Sequence, residues 1–304
     1  MKKFISAILM SAALFLITTS QKVEAKALKF ALITMDSIDS HWITLNEGAQ
    51  AAAKELGVTV DFKSPNTKDD AQQIEMVNNA IASKYDAILI AANGPDAISG
   101  ALKEAQAAGI KIIYVDSPAN VPAEATFSTN NKAGGKTAGE LLRKTLEGKG
   151  VKSGKLGIVN VNTATQSTVD REAGFREAFA GSGFTILETQ YSDGDAAKAQ
   201  EISQNYITQG VVGIFGANEG STAGTGNALK AAGKSDILGI GFDVSDAIKS
   251  LVSDGYLLAT MKQNPDVMGD KAVRAAVDIL KNGKNLGGEV VDTGVSVLDK
   301  SGVK

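Results

Sequence analysis

Short apolar runs recur along the chain at 29–34, 58–62, 87–91, 111–115, 156–161, 184–188, 211–215, 237–242 and 257–261. They are rich in Ile, Val, Leu and Phe, with little polar alternation, which predicts strands covered by helices on both faces. The stretches between them follow a helical period. Leu45, Ala49, Ala52, Ala53 and Leu56 fall on one helix face, and Gly57 is placed to end that helix. Ile98, Leu102 and Ala105 repeat the pattern ahead of Gly109. Regular βα alternation with short connections predicts an α/β fold of parallel sheets with helices on both sides.

The pattern also repeats weakly. Gly48-Ala49 leads through a helix to the run at 58–62, and Gly174-Phe175 leads through another to 184–188. Ala107-Ala108-Gly109 precedes a strand ending at Asp116, and Ala231-Ala232-Gly233 precedes one ending at Asp243. Two lobes of similar design follow from this pairing. No Pro- or Ser-rich linker separates them, so the chain is expected to cross between lobes through ordered, strand-like segments that act as a hinge.

Residues 1–25 depart from the alternation. Lys2 and Lys3 precede a mostly apolar run, and Val23-Glu24-Ala25 places small or apolar residues where a signal peptidase cuts. This is the layout of a cleaved secretory signal, and the apolar run falls short of the ~20 residues a membrane span needs. Cleavage after Ala25 would remove Lys2, Lys3, Lys22 and Glu24, deepening the acidic excess. No Cys follows the apolar run, which excludes a thioether-linked lipid anchor and points to a free protein in the periplasm.

Composition narrows the chemistry. The 304 residues include 31 Lys+Arg against 34 Asp+Glu, a formal charge of −3, which argues against a nucleic-acid partner. There is no Cys and a single His, His41. Disulfides, thiolate metal sites and Cys nucleophiles are thereby excluded, and His-rich metal sites with them. No nucleophile elbow, zinc-protease helix or dinucleotide loop is present, so neither an enzyme nor a cofactor is expected. The segment 130–137 ends like a phosphate loop, but Asn130 stands where such a loop opens with Gly; a helix start after a crossing is the better reading.

In open parallel sheets ligands sit beyond the carboxyl ends of strands. Those positions hold Asp36, Asp39, His41 and Trp42 after the first run, Asn93 after the third, and Asp116-Ser117 after the fourth. In the second half they hold 160–166, then Asn218-Glu219, Asp243 and Gln263-Asn264. Carboxylates, amides and hydroxyls with an aromatic face suit a neutral polyhydroxyl ligand. Each Asp or Asn taken singly is equally a helix cap or a turn residue. Arg171 taken singly reads as a solvated helix charge.

The fragments His41-Trp42, Tyr114-Val115-Asp116, Thr129-Asn130-Asn131 with Gly134-Gly135-Lys136, the segment 170–175, the segment 215–219, Gly241-Phe242-Asp243 and 263–266 occur in order at strand ends. In these the chain resembles the ribose-binding-like branch of the type I periplasmic binding proteins of ABC importers, over residues 28–304. The resemblance implies two doubly wound parallel-sheet lobes joined by a multi-strand hinge: 28–129 with 264–292, and 130–263 with 293–304. It implies a substrate-binding component that closes on a monosaccharide or polyol and delivers it to an inner-membrane permease. The alternative role is to present a sugar or furanose-type signal to a chemoreceptor. Trp42 and His41 would stack on the sugar ring. Asp116 would accept from its hydroxyls, Arg171 would donate a charged fork, and Asn218, Asp243 and Gln263 would complete the second lobe. Asp39 stands where the ribose pattern has Asn. Ser117 replaces an Arg, and Ala91 replaces an Asn, with Asn93 two positions on. These departures weigh against ribose; another pentose, a hexose or a polyol fits as well.

Overall fold

The computed structural model describes residues 27–303. The expected export segment, 1–25, lies outside them. The chain runs through β1 (Lys29–Ile33), α1 (Ser40–Leu56), β2 (Thr59–Lys63), α2 (Asp70–Ala82), β3 (Ala87–Ile90), α3 (Ser99–Ala107), β4 (Lys111–Val115) and β5 (Ala125–Ser128). There follow α4 (Asn131–Gly148), β6 (Ser153–Asn160), α5 (Gln166–Ala178), β7 (Gly183–Ile186), β8 (Gln190–Tyr191), α6 (Ala196–Thr208), β9 (Val211–Gly216), α7 (Glu219–Ala232), β10 (Leu238–Phe242), α8 (Asp246–Asp254) and β11 (Leu257–Gln263). The last elements are α9 (Pro265–Asn282), β12 (Glu289–Asp292) and β13 (Val295–Asp299).

Every apolar run read as a strand is one, with ends moved by a few residues. The strands β5, β8, β12 and β13 were not expected. β5 is short and half polar, Ala-Thr-Phe-Ser. β12 and β13 lie at sheet edges, where Val290 is 76% exposed and Val297 43% exposed, so their sequences carry polar residues that blur the signal.

Two sheets result. The first has the order β12-β5-β4-β3-β1-β2, with every pairing parallel. The second has the order β13-β11-β10-β9-β6-β7, with β8 also on β6, and only β13 is antiparallel. Read from the other edge, β2-β1-β3-β4-β5 and β7-β6-β9-β10-β11 are the same arrangement. The two α/β lobes expected from the repeat are therefore lobes of one topology.

Side chains leave each strand alternately to its two faces. Phe30 and Leu32 of β1 pack under α1 and α9 with Leu45, Ala49, Met268 and Val273. Ala31 and Ile33 point the other way, toward Val77 of α2, Leu102 of α3 and Ile98 just before α3. Each fully buried Leu, Ile or Phe contributes roughly 1.5–3 kcal/mol. Five helices start on a side chain that accepts a backbone N–H: Asp69, Asn130, Asp195, Asn218 and Ser245. Asn130 is thus a cap, as read from the sequence. The paired glycines of the repeat allow helix backbones to touch. A Cβ on Gly48 of α1 would fall on the Asp266 carbonyl of α9, and one on Gly174 of α5 would fall on the Lys132 carbonyl of α4.

The chain passes from the first sheet to the second between β5 and β6, returns between β11 and β12, and passes over again between β12 and β13. Asn264 Nδ2 donates to the Thr293 carbonyl at 2.8 Å, and the Asn130 N–H donates to Asp292 Oδ1 at 3.1 Å. The crossing segments are therefore bonded to one another, an ordered connection of the kind expected from the missing linker.

Candidate functional site

The carboxyl ends of both sheets face one another, and a narrow cavity of about 20 Å³ lies between them. That is far below the ~300–1,000 Å³ of occupied small-molecule sites, so the side chains of the two lobes are drawn together around it. Its wall includes Asp39, His41, Trp42, Asp116, Arg171, Asn218, Asp243 and Gln263.

Asp116 and Asp243 follow β4 and β10, the corresponding strands of the two lobes. Both have left-handed backbones, with φ of 59° and 71°. Asp tolerates this region better than most residues, and such conformations collect at functional sites. His41 stands between the two carboxylates. Its Nε2 is 3.2 Å from Asp116 Oδ2 and its Nδ1 is 3.5 Å from Asp243 Oδ1. Burial opposes the imidazolium, but the two carboxylates outweigh it and raise His41 to about 10. Burial also works against ionised Asp243, yet the His41 hydrogen bond and the Arg171 charge bring it down to about 2. Asp116 is likewise lowered by His41 and Arg171 against burial.

Arg171, on α5, is buried rather than solvated. Its Nε donates to Asn131 Oδ1 at 2.8 Å and its Nη1 to the Ala217 carbonyl at 3.0 Å. The guanidinium lies 4.3 Å from the centre of the Phe242 ring, whose edge meets Phe215, and Phe215 stacks on Phe175 of α5 at 4.5 Å. This aromatic row fixes where the fork points. Its two ends come within 3.8 Å of Asp116 and of Asp243. Among the described residues, Arg171 Nη2 is a buried donor with no protein acceptor in hydrogen-bond alignment.

On the first lobe, Trp42 Nε1 donates to Asp36 Oδ2 at 3.1 Å. Asp36 in turn accepts the backbone N–H groups of Ile38 and Asp39, which shapes the loop entering α1. His41 meets Trp42 edge-on, with ring centres 4.7 Å apart. With both ring nitrogens directed at carboxylates, His41 acts here as an ionic bridge rather than a stacking plate. Gln263 joins hinge to site: it accepts from Thr129 Oγ1 at 2.7 Å and donates to Asp243 Oδ1 at 2.6 Å. Asn218 caps α7 through its Oδ1 and reaches Asp39 Oδ2 at 3.3 Å through its Nδ2, so the cap and the cleft residue are one side chain.

Asn93 and Ser117 sit beside the cavity, not on its wall. The Asn93 carbonyl accepts from Thr165 Oγ1 at 2.9 Å, and Ser117 Oγ accepts the Ser167 N–H at 3.3 Å. Both belong to the contact between lobes. The wall also contains Met35, Lys68, Val161, Thr165, Ser167 and Thr168, which were not singled out from the sequence. Met35, Val161 and Thr165 fall within strand-end stretches already read. Lys68 lies beyond β2, the one strand of the first half whose carboxyl end was passed over.

Two lobes of one topology, with a polar cavity walled by both, define a two-lobed solute-binding protein. The chain belongs to the periplasmic binding protein family, whose domain model matches residues 30–285. It is 33% identical to the ribose import binding protein RbsB of Escherichia coli over 289 residues, covering 93% of this chain and 94% of that one. An ABC transporter solute-binding protein of Agrobacterium vitis solved with α-D-tagatopyranose superposes with a TM-score of 0.86 at 30% identity, over 91% of this chain and 96% of that chain. Another from the same organism, solved with D-fucose, gives 0.83 at 33% identity over 91% and 97%. The family binds solutes without transforming them, in keeping with the lack of a catalytic motif.

Proposed function

We propose that this protein is the substrate-binding component of an ABC importer and captures a monosaccharide or polyol between its lobes in the periplasm. The observation that carries this reading is the orphaned buried donor Arg171 Nη2 on a cavity walled by His41, Asp116 and Asp243. A donor without a protein acceptor, beside carboxylates, complements a ligand whose every hydroxyl both gives and accepts. Trp42 offers the apolar face that a sugar C–H surface needs. Asp39, Asn218 and Gln263 complete the polar wall, while Asn93 and Ser117 hold the lobes together around it.

The lobes in this reading are 28–129 with 264–292, and 130–263 with 293–304. Closure about the crossing segments buries the ligand and presents one shape to a membrane permease. Residues 1–25 serve as the export signal and are removed. The named relatives are import proteins, which favours uptake over signalling. Isothermal titration with D-tagatose, D-fucose, D-arabinose, D-ribose and a set of polyols tests the reading. Saturable binding of at least one is expected; no heat with any of them overturns it.

A further inference from the structure

Lys68 sits in the loop between β2 and α2 and is buried, with 7% of its side chain exposed. A lysine is seldom buried without partners, since removing its charge from water is unfavourable. Its Nζ pairs with Asp36 and, at 3.2 Å, with Asp39 Oδ2. The amine also reaches the opposite lobe. Gly194 follows β8 with φ +79°, and a Cβ there would lie 2.6 Å from Lys68 Nζ and 3.2 Å from Asn218 Nδ2. Any other residue at 194 would take the space that Lys68 uses. The side chain lines the same cavity as Asp116 and Arg171.

We propose that Lys68 is a specificity-determining residue of the ligand cavity, positioning the Asp39 carboxylate as an acceptor for a proton-bearing ligand oxygen. This rests on the sugar-receptor reading and deepens it. It says that the Lys68 end of the cavity takes a neutral hydroxyl rather than a ligand carboxylate.

The surroundings of Asp39 make the lysine necessary. Lys68 and Asp36 face it from its own lobe; Asn218 and Glu219 at the start of α7, and Asp243 after β10, face it from the other. Burial, opposed by Lys68 and aided by the charges of Asp36, Glu219 and Asp243, pushes the Asp39 carboxyl up to about 7. Lys68 is the cation that restrains the rise. Without it two carboxylates share one buried loop, and one of them keeps its proton at neutral pH. A protonated Asp39 donates where the ligand needs an acceptor.

The Lys68–Asp36–Asp39 cluster lies within one lobe, so it can be read without a ligand. Carboxyl-detected NMR on the whole protein should place the Asp39 titration midpoint higher in Lys68→Met than in wild type, with Lys68→Arg close to wild type. Titration calorimetry with the sugar panel from about pH 5.5 to about pH 8.5 should show wild-type affinity falling as Asp39 protonates. In Lys68→Met the fall should be moved to higher pH, with binding roughly tenfold or more weaker at neutral pH. Asp39→Asn should flatten the profile. An unmoved Asp39 midpoint in Lys68→Met overturns the inference, as does a Lys68→Met protein that binds the sugar with the wild-type profile. Wild-type protein that binds none of the sugars overturns the receptor reading instead, and is distinguished by needing no variant.

Discussion

Asp116 and Asp243 are counterparts on opposite jaws. Each follows the corresponding strand of its lobe, each has a left-handed backbone, and each N–H donates at 2.9 Å to a carbonyl on the adjacent strand, Phe127 or Met261. The turn that each residue makes holds its carboxylate over the end of the sheet. Two cations, His41 from the first lobe and Arg171 from the second, approach both carboxylates. The closed cleft is thus a four-membered ionic cluster shared between lobes, with Arg171 Nη2 left over as a donor for a ligand.

Asp116→Ala removes one carboxylate and leaves His41 and Arg171 short of an anion in a buried site. The expected loss of sugar affinity is on the order of 2–4 kcal/mol, measured by titration calorimetry. An unchanged Kd would take Asp116 out of the binding surface.

The pH response of His41 has a definite sign. Its folded value, about 10, lies above the ordinary 6.5, so its stabilising contribution is complete below about 6.5 and is lost as pH rises toward 10. Wild-type melting temperature should therefore fall more between about pH 7 and about pH 10 than that of His41→Phe. Parallel curves for the two proteins would show that His41 is not held charged. At the acid end, Asp243 contributes above its ordinary 3.8 and the contribution fades as pH falls toward about 2.

Gln263 is the contact through which the hinge touches the site. Gln263→Ala leaves Thr129 Oγ1 without its acceptor and takes one of its donors from Asp243. Affinity should weaken by about 1–3 kcal/mol. Thr129→Val, which removes only the outer bond, should have the smaller effect. Equal effects from both would place the role of Gln263 in the hinge rather than at Asp243.

Gly174→Val tests the helix contact behind the site. The added Cβ has to displace the Lys132 carbonyl of α4. Forcing atoms into a packed contact typically costs 1–3 kcal/mol. A lower denaturation midpoint is expected, and an unchanged one would mean that α4 and α5 can slide apart freely.

Much of this was legible in the sequence because burial on both faces of a sheet leaves a plain mark. The runs at 87–91 and 111–115 could be little else. The strand-end rule found Asp39, Asp116, Asn218, Asp243 and Gln263, since a parallel sheet aligns the ends of its strands whatever the helices do. The rule was silent about β12 and β13, where an edge strand has one free side and tolerates the polar residues of a loop. It also read Asn218 as a cap or a ligand residue, when the two amide atoms of one side chain do both.

The sequence by itself determined the class of fold, the doubling of the lobes and the polar character of the strand ends, because these depend on local periodicity and on the order of elements. Only the tertiary structure decided which residues meet. Arg171 taken singly reads as an ordinary surface charge, raised above that in the sequence by the resemblance alone; the aromatic row of Phe175, Phe215 and Phe242 is what turns it into the cleft. Lys68 reads as a loop lysine until Gly194 of the other lobe makes room for it. Both roles depend on a partner distant along the chain. The physical reason is that a buried charge is defined by what surrounds it, and those surroundings exist only once distant parts of the chain have folded together.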